Sequence, residues 1–247
     1  PDSNNILYVK KGGSGKQDGS SWDNAIGELA DALLWANDEN KKNAWTRSNP
    51  LKIYVSKGTY HPLYSPEDGE NYGTDKGTDN TFLMVNNVKL YGGFDPDNNI
   101  KTLDDKRIIT DGKNAAPNGT ILSGDFNGKD EITGSRKTLE IKDNTENAYH
   151  VVTGINKNSI HLFLDGFTIE RGNANEKSEL KINGQGVHRD RGAGIYFRSS
   201  DSSAILNLKN VDVSCNTTTA NGGGIYSESS NNSFSEINIK QSLILNN

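Results

Sequence analysis

The chain has 247 residues, with 27 Lys plus Arg against 32 Asp plus Glu, a net charge of −5 and a pI near 5.4. That acidic balance argues against binding a phosphate backbone, and no apolar run approaches the ~18 residues of a membrane span, so nucleic-acid and membrane-spanning roles fall away. Hydrophobic residues make up only 32%, but short apolar runs recur along most of the length, which argues against a disordered chain.

The 32 Asn and 26 Gly point to many tight turns, because both residues tolerate positive φ. Cys215 is the single cysteine, so no disulfide forms within the chain, and it is expected to be a small buried hydrophobe.

In chain order, Ile6 to Val9 reads as a strand, and Lys11 to Ser21 as a turn region. Ile26, Leu29, Ala30, Leu33 and Leu34 then form one apolar stripe at helical spacing. The stripe predicts a helix capped by Ser21 or Asp23 that fades near Asn37, with its apolar face in the core. Lys52 to Val55 is the next strand. Ser56 to Asn80 reads as a polar loop carrying Gly58, Gly69, Gly73 and Gly77. Short β segments follow at Thr81 to Val85, Val88 to Tyr91, Thr120 to Leu122, Thr138 to Ile141 and Tyr149 to Thr153.

The last third repeats. Leu164 to Ile169 (LDGFTI), Leu208 to Val213 (LKNVDV) and Ile239 to Ile244 (IKQSLI) share an apolar pattern. Gly192 to Tyr196 (GAGIY) returns at Gly222 to Tyr226 as GGGIY, 30 residues later, and Asn173, Asn216 and Asn246 follow the strands. Such a period marks a stacked architecture, in which short strands bury one face on copies of themselves. The fold class expected is all-β: a right-handed parallel β-helix from about Leu51 to Asn247, with residues 1–50 supplying a first strand and a helix that covers the N-terminal end, in one continuous domain. Asn246 and Asn247 fall in mid-repeat, so the chain is expected to be part of a longer protein, its open end met by further coils or by another chain.

The run GSSWDNAIGELADAL (Gly19 to Leu33), then IYVSKGTYHP, LYGGFD, TILSGDFNG, NAYHVV and LDGFTIERGNAN, resembles bacterial right-handed parallel β-helix surface proteins of the pectate-lyase-like superfamily. The GGGIY repeats are similar to those of chlamydial polymorphic outer membrane proteins, and such chains are common in Bacteroidetes. The resemblance implies an exported protein at the outer cell surface, adhesin-like or a stalk module, and it supplies no catalytic residues. The stretch Arg171 to Arg191 departs from the repeat pattern as an insertion.

His188, Arg189, Asp190 and Arg191 form a charged cluster inside that insertion. Lyases of this fold use an Arg or Lys base with acidic Ca²⁺ ligands, and inverting glycosidases use paired carboxylates. No acidic cluster adjoins this run in sequence, so a non-enzymatic role is favoured over a polysaccharide lyase or glycoside hydrolase. Asp95, Asp97 and Asn99, and likewise Asp125, Asn127 and Asp130, place oxygen side chains at loop spacing that suits Ca²⁺, although the helix–loop–helix calcium pattern is incomplete in both. No other cofactor is expected. Tyr60, His61, Tyr64 and Tyr72 are candidates for stacking on a glycan, the expected kind of partner. His150 and His161 read as structural.

Overall fold

A strand that alternates apolar and polar residues must have one face covered. In the computed structural model, which describes residues 1–247 except 43, 69–71, 136–137, 157–159, 201 and 231–232, the chain achieves this by revisiting the same three sheets. β1 (Ile6–Val9) is followed by α1 (Leu29–Asn40), the single α-helix among the described residues. The strands then come in rounds. The first is β2 (Leu51–Ser56), β3 (Gly58–Tyr60) and β4 (Phe82–Leu83). The second is β5 (Val88–Phe94), β6 (Thr120–Ser123), a hairpin of β7 (Glu131–Thr133) and β8 (Glu140–Lys142), and β9 (Val152–Asn156). The third is β10 (Ile160–Asp165), β11 (Phe167–Glu170), β12 (Asn173–Ala174), a hairpin of β13 (Glu179–Ile182) and β14 (Gln185–His188), and β15 (Ile195–Ser200). The fourth is β16 (Ala204–Lys209), β17 (Asp212–Ser214), β18 (Thr217–Thr218) and β19 (Ile225–Ser230), after which come β20 (Ser235–Lys240) and β21 (Leu243–Leu245).

The first sheet is ordered β1-β2-β5-β10-β16-β20, the second β3-β6-β11-β17-β21, and the third β4-β9-β15-β19. Every strand pair in these three sheets is parallel, as is β12 with β18; among the described strand pairs only the two hairpins are antiparallel. An all-β chain with several parallel sheets and one helix fits a β-helix-like fold.

Register turns the inward residues into columns. In the first sheet Leu7, Ile53, Leu90, Leu164, Leu208 and Ile239 are successive partners. In the second, Tyr60, Leu122, Ile169, Val213 and Ile244 are. In the third, Phe82, Val152, Ile195 and Ile225 are. All are buried except on the last strands, where Ile225 is half-buried and Ile239 and Ile244 are exposed. Outside the first sheet, Tyr8, Tyr54, Tyr91 and Phe163 follow one another at ring-centroid distances of 5.9, 5.7 and 5.3 Å, a cross-strand ladder that adds to the burial energy.

The repeated hexapeptides are not single strands. Each turns from the first sheet into the second, with its third residue (Gly166, Asn210 or Gln241) at positive φ. At Gly166 a Cβ would lie 2.6 Å from Ile109 Cγ2, so both conformation and space favour glycine there. The Asn series is offset from the expected one. Asn216 Nδ2 donates to Asn247 Oδ1 at 3.0 Å, and Gly172 N donates to Asn216 Oδ1 at 2.9 Å, whereas Asn173 pairs with Thr217. Cys215 is half-buried rather than buried, and it sits at a left-handed corner with φ 56°.

α1 begins three residues later than the apolar stripe suggests. Ile26 has its N–H bonded to Tyr8 O and its C=O accepting from Lys10 N, so both backbone groups are committed to β1. Ser21 and Asp23 belong to a short 3₁₀ turn, and the N-cap of α1 is the extended Glu28. Leu29 and Leu33 are fully buried, Leu34 half-buried, and the helix packs against β1 and β4, edge strands of the first and third sheets. Gly69 of the expected polar loop lies outside the described residues.

Leu164 sits in the first column between Leu90 and Leu208, and Ile205 faces outward one strand later. Leu164→Ala should cost about 2–5 kcal/mol in urea unfolding through lost burial and a cavity, and Ile205→Ala less than about 1 kcal/mol. Equal losses for the two would contradict the inward–outward assignment.

Candidate functional site

Three long segments leave the body at one junction, between the second and third sheets, in successive rounds. They are 61–81 between β3 and β4, 124–151 between β6 and β9, and 175–194 between β12 and β15. In the fourth round the same junction is crossed by 219–224 alone. Parallel in-register strands tolerate such insertions because the ladder depends on the strands and not on what joins them.

The three segments are tied into one layer. Arg189 places Nε 2.6 Å and Nη2 2.9 Å from the two carboxylate oxygens of Asp79, and Nη1 3.0 Å from Ser178 Oγ. Its guanidinium also lies 5.8 Å from the Tyr149 ring centroid. Tyr149 N donates to Thr78 O at 2.8 Å, and Tyr149 Oη donates to Glu176 at 2.6 Å. Below them, β13 and β14 lay Leu180, Ile182 and Val187 onto Leu83, Ile155 and Tyr196, a second small core on the third sheet.

The charged run is spent within this layer. His188 Nδ1 is 2.8 Å from Glu179 Oε1, its cross-strand partner in the hairpin. Arg191 Nη1 donates to Tyr226 Oη at 3.0 Å, and Arg191 Nε lies 3.5 Å from Asp190. Lys177, Ser178, Glu179, His188 and Asp190 line a cleft of about 230 Å³. The Arg189 guanidinium is held above its usual pKa, mainly by its hydrogen bonds to Asp79, so it serves as a fixed cation and not as a proton acceptor.

The aromatic candidates are dispersed. Tyr60 is a column residue with its hydroxyl 3.1 Å from Ser56 Oγ. Tyr64 donates to Asp31 on α1 at 2.6 Å, and Tyr72 packs against the small outer core. His61 has Nδ1 3.3 Å from Ser123 O, and its ring is 6.3 Å from Phe126. The first acidic loop is also split: Asp95 pairs with Lys57 at 2.6 Å, Asp97 with Lys10 at 2.7 Å, and Asn99 is exposed at φ 61°.

The second acidic loop is gathered. Asp125 and Asp130 join Glu146, and one carboxylate oxygen from each lies within 4.8 Å of the others. Asn127 is exposed and caps its own turn, accepting from Lys129 N. Asp125 is 2% exposed, accepting from Gly128 N at 2.6 Å and from Arg171 Nη1 at 3.1 Å. Asn147, also 2% exposed, donates through Nδ2 to Asp130 Oδ2 and to Arg171 O, both at 2.8 Å. Asp130 Oδ1, Glu146 Oε1 and Asn147 Oδ1 are buried and receive no hydrogen bond. Each such orphan costs about 1–3 kcal/mol. Burial pushes the Asp130 carboxyl up to about 6, with the Asp125 and Glu146 charges adding to it against the Asn147 hydrogen bond and Arg171. Burial likewise raises Glu170, which also pairs with Arg171. Glu146 and Asn147 escaped a reading of the sequence because the β7–β8 hairpin brings them back beside residue 130, and Arg171 because it arrives from β11, the parallel partner of β6.

No protein-family model, no curated protein and no solved structure matches the chain. Among the described residues no helix is long and apolar enough to cross a membrane.

His150 is buried under the layer, its ring 5.1 Å from Tyr196 and its Nδ1 3.1 Å from Gly192 O. Burial lowers its pKa from 6.5 to about 4. The unfolded chain therefore binds a proton that the folded chain refuses, and stability falls as pH drops from about 6.5 to about 4. Relative to His150→Gln, the wild type should lose roughly 3 kcal/mol across that window in pH-dependent unfolding. The raised carboxyls act in the opposite sense but equally in both proteins, so parallel profiles would contradict a neutral buried His150.

Proposed function

We propose that the chain is a right-handed parallel β-helix with α1 covering its N-terminal end, and that it acts as a non-enzymatic scaffold at the outer cell surface. In this reading it is exported and is adhesin-like or a stalk module, presenting its side layer to a glycan or another surface ligand. The observation that carries it is the exit of three long segments from one junction in successive rounds, cross-tied by Arg189, Asp79 and Tyr149. A stiff stack of strands that keeps its insertions on one flank suits presentation of a binding surface. Buried Leu29 and Leu33 against β1 and β4 support the covering role of α1, and the general hand of parallel crossovers supports right-handed coiling. Ile239 and Ile244 continue the inward columns on the last strands and are exposed there.

A carbohydrate-active enzyme is the second reading. The Asp130 carboxyl, raised to about 6 beside Asp125 and Glu146, favours it, since a raised acid beside other carboxylates is the equipment of glycoside hydrolysis.

A glycan array with the purified chain, run beside incubation with polygalacturonate, alginate and chondroitin with and without Ca²⁺, separates the two. The scaffold reading expects retention of a glycan class with no unsaturated or reducing-end products. Turnover that disappears in Arg189→Ala, Asp190→Ala or Asp130→Asn would replace it with the enzyme reading.

A further inference from the structure

The oxygens of Asp125, Asp130 and Glu146 converge at the base of the 124–151 segment, with the buried amide of Asn147 directed into the same cluster through its bond to Asp130. Among the described residues Arg171 is the cation that reaches them, and it is only a partial answer to their charge. Its Nη1 touches Asp125 Oδ2 and the Asp130 backbone oxygen, while its Nε is turned to Glu170. Three carboxylates against one shared guanidinium leave a surplus of negative charge. The oxygens that meet no donor, Asp130 Oδ1, Glu146 Oε1 and Asn147 Oδ1, come from three different side chains. Asn147 is the independent sign, because a neutral amide buried to 2% exposure adds no charge yet also keeps its oxygen free of donors, and its nitrogen is already used twice.

We propose that Asp125, Asp130, Glu146 and the amide oxygen of Asn147 form a Ca²⁺ site. The donors are all hard oxygens and include neither His nor Cys, which selects a hard cation over a transition metal. Ca²⁺–O distances of about 2.3–2.6 Å place opposite ligands about 4.6–5.2 Å apart, so one ion spans oxygens gathered within 4.8 Å. The ion joins the end of β6, the entry to the β7–β8 hairpin and its exit, and so fixes the root of the central segment of the layer. This site stands on its own residues, and its failure would leave the scaffold reading untouched.

Calorimetric titration of the chelator-stripped, desalted chain with CaCl₂, with thermal unfolding in parallel, tests it. One Ca²⁺ per chain is expected, with a melting temperature that rises with Ca²⁺ and weaker binding of Mg²⁺. Asp130→Asn and Glu146→Gln should each weaken Ca²⁺ binding at least about tenfold, while Asp97→Asn binds as the wild type does. Without Ca²⁺, Asp130→Asn should melt no lower than the wild type, since it relieves repulsion, which separates loss of the site from loss of the fold. Three results would overturn the proposal: no saturable binding up to about 5 mM, past the range of extracellular calcium modules; Ca²⁺ affinity unchanged in Asp130→Asn and Glu146→Gln; or tighter binding of Mg²⁺ than of Ca²⁺.

Discussion

The structure depends on in-register parallel stacking of short strands. The ladder Leu7, Ile53, Leu90, Leu164, Leu208 sets each inward side chain on its counterpart in the next round. Because side chains alternate, a slip of one residue would carry Leu162, Leu164, Leu206 and Leu208 to the outer face and polar Asn207 and Lys209 inward. No single strand of four to six residues buries enough surface to be stable alone, so the stack is cooperative between neighbours. This also explains a stable core in a chain with so few apolar residues, since each round needs only two or three inward side chains per sheet.

The same constraint explains where variation is tolerated. Strands held by their neighbours do not need short connections, and the chain uses that freedom at the junction of the second and third sheets. Segment 95–119, between β5 and β6, uses it at another corner. There Arg107 enters the body, 3.1 Å from Asp165 Oδ1, with both side chains buried and the guanidinium 5.6 Å from the Phe94 ring. Such a pair anchors a segment more than it stabilises the fold, because desolvation offsets much of the attraction. Arg189 and Asp79 do the same for the lateral layer.

Much of the stacking was legible because the repeats keep their phase. Leu164, Leu208 and Ile239 align by motif and by register, as do Ile169, Val213 and Ile244. Tyr196 and Tyr226 in the GAGIY and GGGIY motifs are partners as well. Local pattern failed where long-range contacts decide the outcome. Ile26 fits a helical stripe but is held by β1, and Asn173 resembles Asn216 while lying one place on. The acidic site was half legible. Asp125 and Asp130 announce themselves as a loop pair, but Glu146 and Asn147 join them only through a hairpin whose strands, Glu131–Thr133 and Glu140–Lys142, carry one apolar residue each. The tyrosines could not be sorted by sequence, because a column residue such as Tyr60 and a loop residue such as Tyr64 differ only in which side of the backbone they take.

The most direct test of in-register stacking is a methyl NOESY spectrum of the Leu-, Ile- and Val-labelled chain. Partners one strand apart lie about 4.8 Å from one another along the stack. In-register stacking predicts cross-peaks linking Leu90 to Leu164 and Leu164 to Leu208, and others linking Leu122 to Ile169 and Ile169 to Val213. Absence of the Leu90–Leu164–Leu208 series, with Leu164 methyls meeting residues of an antiparallel neighbour instead, would contradict it.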